Sequence, residues 1–505
     1  MSDATAAVAA APQPDAAWSW QRQGALAAIL IAAAAIRLAE LNVQSLSSDE
    51  VKDLAMARGG VARLAASDDR FPPLYHALLS GWLRLVPWDE TGRGFSVLCG
   101  VLTVAAVAGL AAELGGAAAG LWAAAITAAA PLPAWYAVEA RAYALFMLLA
   151  VVVLWQLAAA IGRHRLKNWI AFAAAATAGA YTHYYFGLLI AIAGLAWLAS
   201  RPRGAAFRRG IAAFAAIAVA TAPSLWLLKQ DLDHPWGYAR NSAFSLPALG
   251  YTYFSYLSGY TLGPSLRALH MLSARDAALA AAPWIVGVGA CVGVLLALAL
   301  RQTPPCDRMR RVALLAAFCI APAAIIGGVS VAAGFGYNVR HAVWAFAPLA
   351  AALSIGAAYG RPRWLAWTAA VLMFAAFAVA HLQRIVRFEH RNEDMRSVAE
   401  RLTAVEAPRP TFVLSGYMSK PLAAYLPAKF PVFALPDAET SEHAADAAIA
   451  AVRRHAQPGQ AVWLVYTRGF HGDPRGEMLA ELKRVLSLDD VGRFAGADLY
   501  QGTAP

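Results

Sequence analysis

Two adjacent carboxylates, Asp49 and Glu50, stand in the stretch SSDE (47–50), and Asp53, Asp68 and Asp69 follow before FPPLY (71–75). A carboxylate beside a hydroxyl can accept its proton as a new bond forms, which makes a poor nucleophile competent. Arginines recur downstream: Arg93 in GRGFSVL, Arg141 in WYAVEARAY and Arg340 in YNVRHAVW. A guanidinium presents a planar fork of donors that fits phosphate oxygens, so arginines around a departing phosphate stabilise the charge that grows as it leaves. Tyr136 and Glu139 precede Arg141, His183, Tyr184 and Tyr185 lie in the stretch THYYF, and His341 follows Arg340. Glu139 is suited to orienting Arg141. These residue types fit displacement of a phosphate-bearing leaving group by an activated hydroxyl, provided that the fold gathers them.

The elements available for gathering them are membrane helices. The chain of 505 residues is 60% hydrophobic and 14% charged, with a mean hydropathy of +0.50 and one long Ala/Leu/Val run after another. That composition describes a polytopic membrane protein and excludes an ordinary soluble domain. Residues 1–23 read as a polar cytoplasmic tail, and the first apolar run, GALAAILIAAAAI, as a retained anchor without a small-residue cleavage site. The four cysteines, Cys99, Cys291, Cys306 and Cys319, lie in or beside apolar runs and have no metal-ligand spacing.

The net charge of +11 is distributed as topology signals, not as a nucleic-acid surface. Basic clusters fall at GRHRLK (162–167), RPRGAAFRR (201–209), RQTPPCDRMRR (301–311) and GRPR (360–363), and cytoplasmic loops are the ones enriched in Lys and Arg. Spans near 24–41, 94–112, 118–134, 142–161, 169–181, 185–199, 210–228, 276–300, 312–333, 342–358 and 364–381 put all four clusters on the cytoplasmic side. The segment PPLYHALLSGWLRLVPW (72–88) is too short to cross, has prolines near both ends and carries His76 and Arg84. It reads as an amphipathic helix in the interface, with His76 structural. The result is about eleven spans over residues 24–381, a first outer loop at 42–93, and an outer soluble domain at 382–505 whose strand-like TFVLS and AVWLVYT alternate with helix-like runs. No Gly-rich phosphate loop occurs in it.

On this topology Asp49, Glu50, Arg93, Tyr136, Glu139, Arg141, His183, Tyr184, Arg340 and His341 all fall on the outer side. Each has a plainer account by itself: solvated loop acids, an aromatic belt, arginines reaching for lipid headgroups. Their convergence at one interface favours a reaction centre, because ionisable groups at that depth are costly unless paired or functional. The aromatic stretch 230–260 suits either a cover over that centre or an interfacial belt.

At these residues the sequence resembles the GT-C glycosyltransferases, specifically the branch holding the protein O-mannosyltransferases and the lipid A aminoarabinose transferases. The resemblance is carried in order by SSDE (47–50), DRFPPLY (69–75), GRGFSVLCG (92–100), VEARAYAL (138–145), YTHYYF (181–186), NVRHAVWAFAP (338–348) and EDMRSVAERL (393–402). It implies a GT-C fold and transfer of a sugar, with inversion, from a polyprenyl-phosphate donor to a hydroxyl or phosphate of a glycolipid, glycan or protein at the outer face of a bacterial inner membrane. It implies that Asp49 is the catalytic carboxylate and that Glu50 assists or positions it. Arg93, Arg141 and Arg340 are the candidates for the donor phosphate. Phe71 stands where many members have His, leaving His76 or Asp69 as replacements for that contact.

The rival reading is a transporter or lipid-linked glycan translocase with the same charges along a path. Such folds tend to carry internal symmetry and midplane charges; here neither is visible. A non-catalytic scaffold fits poorly with both DE and EAR present, and a ligase acting on lipid-linked glycans would be expected to carry its large outer loop late in the chain. No nucleotide is needed when the donor is already activated. No metal-ligand spacing occurs, although carboxylates and His on the outer side are compatible with a divalent ion.

Overall fold

The computed structural model describes residues 18–60, 71–232, 244–302, 313–314, 316–333, 336–405, 407–437 and 444–505. They form two compact units: one of the described residues within 1–38, 56–262 and 282–380, the other of those within 39–55, 263–281 and 381–505.

The first unit is helical. Among the described residues seven helices are long and apolar enough to cross a membrane, beginning with Trp20–Glu40 and ending with Arg363–Val386, and shorter apolar helices lie between them. Helices occupy every predicted span, but several are interrupted. The residues of Arg93–Ala129 form two limbs, because Gly116 adopts φ 84°, a value that suits glycine. Val104 and Ala108 from one limb share a core cluster with Ala124 and Ala128 from the other. Gly120 permits this approach, since a Cβ there would sit 2.8 Å from the Ala108 carbonyl. The second limb ends at Ala129, short of the predicted 134: Ala130 is extended and Pro131 opens the separate helix Pro131–Tyr136, in keeping with proline's lack of an N–H and its preference for a first helical turn. Arg37, wholly buried, donates to the carbonyls of Ala33, one turn back in its own helix, and of Ala128 in the last turn of Arg93–Ala129, so a cation inside the bundle is met in part by a carbonyl at a helix end.

The expected interfacial segment forms the helix Leu74–Leu85, with Tyr75, His76 and Leu79 buried and Leu85 exposed. Its first amide, that of Leu74, donates to the Tyr181 carbonyl (2.9 Å). The predicted ninth and tenth spans carry irregular turns: a π-turn at Ala316–Ile320 precedes Ala321–Ala333, and a 3-10 turn at Val339–Ala345 precedes Phe346–Tyr359. Asn338 caps that 3-10 turn by accepting from the Arg340 amide.

The second unit contains a five-stranded sheet in the order β2-β1-β3-β5-β4, where β1 is Thr411–Leu414, β2 Val432–Ala434, β3 Ala461–Thr467, β4 Asp489–Phe494 and β5 Ala497–Thr503. Strand β1 runs parallel to β2 and β3, and β5 is antiparallel to β3 and β4. Period-two alternation splits the strand side chains between two cores. Phe412, Leu414, Val462 and Leu464 pack with Ala448, Val452, Met478 and Leu482 of the helices Ala444–His455 and Glu477–Leu486. Val413, Trp463, Val465 and Leu499 pack on the other side with Met395, Val398 and Leu402 of the helix Met395–Thr403. The small α/β domain expected at the C-terminal end is therefore a sheet covered on both faces.

Candidate active site

Within the first unit the arginines of two distant motifs converge on one aromatic ring. The guanidinium carbon of Arg141 lies 4.9 Å, and that of Arg340 5.5 Å, from the centroid of Tyr143. Tyr143 opens the helix Tyr143–Arg163 and is buried; Arg141 lies in the turn just before it, and Arg340 opens the 3-10 turn. A ring face attracts cations, so Tyr143 gives the two guanidinium groups a common contact. Both arginines are half-buried.

A polar shell surrounds this pair. Glu139 accepts from the Trp135 indole (2.7 Å). The Tyr136 and Tyr260 hydroxyls share a hydrogen bond (2.5 Å), and Tyr136 also packs on Tyr143. The Tyr256 hydroxyl donates to the Ala342 carbonyl (2.9 Å), tying the helix Leu246–Ser258 to the turn that bears Arg340. His183 stacks on Phe146 and lies 5.7 Å from Tyr143 and 6.1 Å from His341, ring to ring. Its Nδ1 accepts the Tyr185 amide (3.3 Å). Burial, then the charges of Arg340 and Arg141, lower its pKa to about 3, so the imidazole is neutral and its remaining proton sits on Nε2. Phe71 packs edge-on to His183 (5.4 Å) and near Tyr184 (6.2 Å). Arg93 is buried in the first turn of Arg93–Ala129, its amide on the Thr91 hydroxyl.

The second unit holds the acidic pair. Asp49 and Glu50 lie in the first turn of the helix Ser48–Arg58. Ser47 precedes that helix, and its Oγ accepts the Glu50 amide (3.3 Å) while Glu50 Oε2 accepts the Ser47 amide (2.9 Å). This reciprocal exchange is a capping box, with Glu50 three residues after the cap. Glu50 is fully buried; Asp49 is half-buried at a helix N-terminus, where the helix dipole favours a negative charge. The strand of chain before it is anchored to the sheet domain. Ser45 Oγ donates to Asp394 Oδ1 (2.9 Å) and accepts the Arg396 amide (3.2 Å), the Leu46 amide donates to the Tyr425 hydroxyl (2.8 Å), and Arg396 donates to the Asn42 carbonyl (3.0 Å). Upstream, Glu40 accepts from Arg384 (2.8 Å) and pairs with His381.

The structure thus brings Arg141, Arg340, Glu139, Tyr136, His183, Tyr184 and His341 into one neighbourhood of the first unit, and sets Asp49 and Glu50 on a capped helix turn in the second. Asp69 lies outside the described residues, as does Cys306. Among the described residues no three His, Cys, Asp or Glu side chains form a set that could hold a metal ion. Sequence reasoning passed over Tyr143, Tyr256 and Tyr260. The first was detectable as an aromatic two residues after Arg141; the other two lay within the Tyr-rich stretch.

Similarity to known proteins bears on this arrangement. The apo crystal structure of ArnT from Cupriavidus metallidurans superposes with a TM-score of 0.59 over 96% of this chain and 99% of that one, at 14% identity. This chain has the fold of the GT-C membrane glycosyltransferases. A second ArnT structure, bound to undecaprenyl phosphate, matches this chain with a TM-score of 0.57 at 14% identity, covering 95% of this chain and 98% of that one. The oligosaccharyltransferase of Archaeoglobus fulgidus, tethered to an acceptor peptide, matches with a TM-score of 0.51 at 10% identity, over 90% of this chain and 70% of that one. In sequence, residues 71–227 match the family described as dolichyl-phosphate-mannose-protein mannosyltransferase. No curated protein sequence matches the chain. The GT-C fold, the several membrane-crossing helices and the small α/β domain agree with the architecture expected from the sequence.

Proposed function

We propose that this GT-C protein is an inverting glycosyltransferase that moves a sugar from a polyprenyl-phosphate carrier to a hydroxyl or phosphate of a glycolipid, glycan or protein acceptor. The observation that carries the reading is the pairing of Arg141 and Arg340 over Tyr143. Two guanidinium groups side by side on a buried ring make a cationic site suited to a lipid-linked phosphate, whose charge grows as its sugar departs. A neighbour of the same fold was crystallised with undecaprenyl phosphate, the kind of carrier this chemistry requires. Arg93 is the third candidate for the phosphate.

Asp49 is the proposed base. Inversion follows from a single displacement: the acceptor oxygen attacks the anomeric carbon opposite the leaving phosphate, its proton passes to Asp49, and the electron pair of the broken bond leaves on the phosphate. Glu50, engaged in the capping box, positions Asp49. The neutral His183, with Tyr184 and His341, is suited to hydroxyl contacts with the transferred sugar. The protein acts at the outer face of a bacterial inner membrane, on the side where the basic clusters are absent.

The test is turnover in proteoliposomes of a panel of radiolabelled polyprenyl-phosphate sugars, comparing wild type with Asp49→Asn at matched donor binding. Turnover of one donor, abolished by the substitution while binding persists, is the expected result. A fully active Asp49→Asn overturns the base assignment, and absence of donor binding across the panel favours the transporter reading.

A further inference from the structure

A polar pocket of about 350 Å³ opens in the second unit beside the chain that leads to Asp49. One wall is Asn42, Val43 and Ser45; the other comes from residues 385–400 and includes Arg391, Arg396 and Glu400. The size is at the low end for small-molecule sites, which run from roughly 300 to 1,000 Å³. It is one the proposed function does not use.

Several of its polar groups are already spent. Asp394 accepts from Ser45, from the Ser397 amide and from the Ser397 hydroxyl. Others have capacity left. Arg391 donates from one terminal nitrogen to the Ile385 carbonyl, while its Nε is buried with no hydrogen-bond partner among the described residues. Arg396 uses one nitrogen on the Asn42 carbonyl, and Glu400 stands exposed on the wall with two acceptor oxygens. The arginines and acids along the lining balance, so a phosphate would meet a carboxylate and an amine would meet guanidinium groups. A neutral polyol needs both donors and acceptors, arranged as planar forks that pair with adjacent hydroxyls. Val43 and Ile385 supply a small apolar patch for the C–H face of a ring.

We propose that this pocket is an acceptor-side subsite that takes an uncharged saccharide ring, so that the acceptor is a glycan or glycolipid. The acceptor role rests on the reading of Asp49 as the base, since the pocket wall runs four to seven residues before it; the binding of sugar does not.

The experiment uses the full chain in lipid nanodiscs, without a donor. Methyl glycosides of glucose, mannose, galactose and N-acetylglucosamine are titrated to tens of millimolar, with inorganic phosphate as the anionic probe, and binding is read by ligand-observed NMR and by amide exchange across residues 385–400. At least one glycoside is expected to bind saturably and slow exchange there. Glu400→Gln and Arg391→Lys are each expected to weaken it about tenfold, the scale of one hydrogen bond to a charged group. Glu400 is exposed, so its substitution leaves the fold intact. No saturable glycoside binding, binding indifferent to both variants, or saturable phosphate binding that displaces the glycosides overturns the proposal. Because no turnover is measured, a failure of Asp49→Asn to abolish transfer would remove the acceptor role and leave sugar binding to stand or fall on this titration.

Discussion

Ser47 and Glu50 exchange two hydrogen bonds across the first turn of the helix that carries Asp49. Of two adjacent acids, Glu50 is therefore engaged in holding the backbone, and Asp49 is the one proposed for chemistry. The two substitutions should separate accordingly. Glu50→Gln retains an acceptor that serves in capping boxes and should keep most of the activity, whereas Glu50→Ala should destabilise the turn by about 0.5–2 kcal/mol and lower activity in proportion. Asp49→Asn should abolish turnover with a loss of stability of no more than about 1 kcal/mol, the scale of a charge at a helix N-terminus. Thermal midpoints and donor turnover measured on all three check this, and a Glu50→Gln variant as inactive as Asp49→Asn would give Glu50 a direct chemical part.

Arg141 and Arg340 should act as one unit. Either one changed to Lys keeps a charge but loses the donor fork, and a fall in turnover of about ten- to a hundredfold is expected, corresponding to loss of one charge-assisted phosphate contact. Removing the second should cost less than removing the first. Tyr143→Phe should be near wild type, because the ring is what both cations use. Tyr143→Ala should weaken donor binding by the roughly 0.5–2 kcal/mol of a cation–π contact. Donor titrations on the single and double variants decide it.

How much of this could be read from the chain alone follows from the range of each interaction. The apolar runs announced their helices because lipid exposure demands length and hydrophobicity from every residue in a span. The break at Gly116 was legible as a gap between two runs, since glycine is what a φ of 84° requires. The capping box was legible too, as Ser47 followed three residues later by Glu50, although the acids drew attention to chemistry first. The meeting of Arg141 with Arg340 on Tyr143 was not legible. It depends on how the helix Tyr143–Arg163 packs beside the 3-10 turn Val339–Ala345, and no local pattern encodes that. The anchoring of Leu46 on Tyr425 is equally long-range.

The buried, neutral His183 makes stability depend on pH in a definite direction. Its pKa is lowered to about 3 from an ordinary value of 6.5, so the unfolded chain binds a proton that the folded chain refuses. The contribution is fully present above pH 6.5 and is lost progressively as the pH falls from there toward 3. The bond from the Tyr185 amide to Nδ1 is lost on the same protonation. His183→Gln, which cannot be protonated, should flatten the pH dependence of the thermal midpoint within that window. A profile parallel to wild type would show that His183 takes up its proton as readily in the native protein as in the unfolded chain.

Tyr425 offers the sharpest view of how the sheet domain serves the acidic turn, because its hydroxyl takes the Leu46 amide one residue ahead of the capping box. Tyr425→Phe deletes that acceptor and little else: the ring, with Arg396 stacked 5.6 Å from its centroid, stays. A net hydrogen bond is worth about 1 kcal/mol, so local opening of residues 44–48 should become roughly fivefold more frequent, visible as faster exchange of the Leu46 amide with global stability little changed. If the anchor sets the position of Asp49, the maximal turnover rate should fall several-fold while the donor concentration at half-maximal rate stays put, since the donor phosphate is proposed to be held by arginines of the other unit. Faster exchange with unaltered turnover would instead make the anchor a feature of folding alone, and a change confined to donor affinity would place the sheet domain's influence on the carrier.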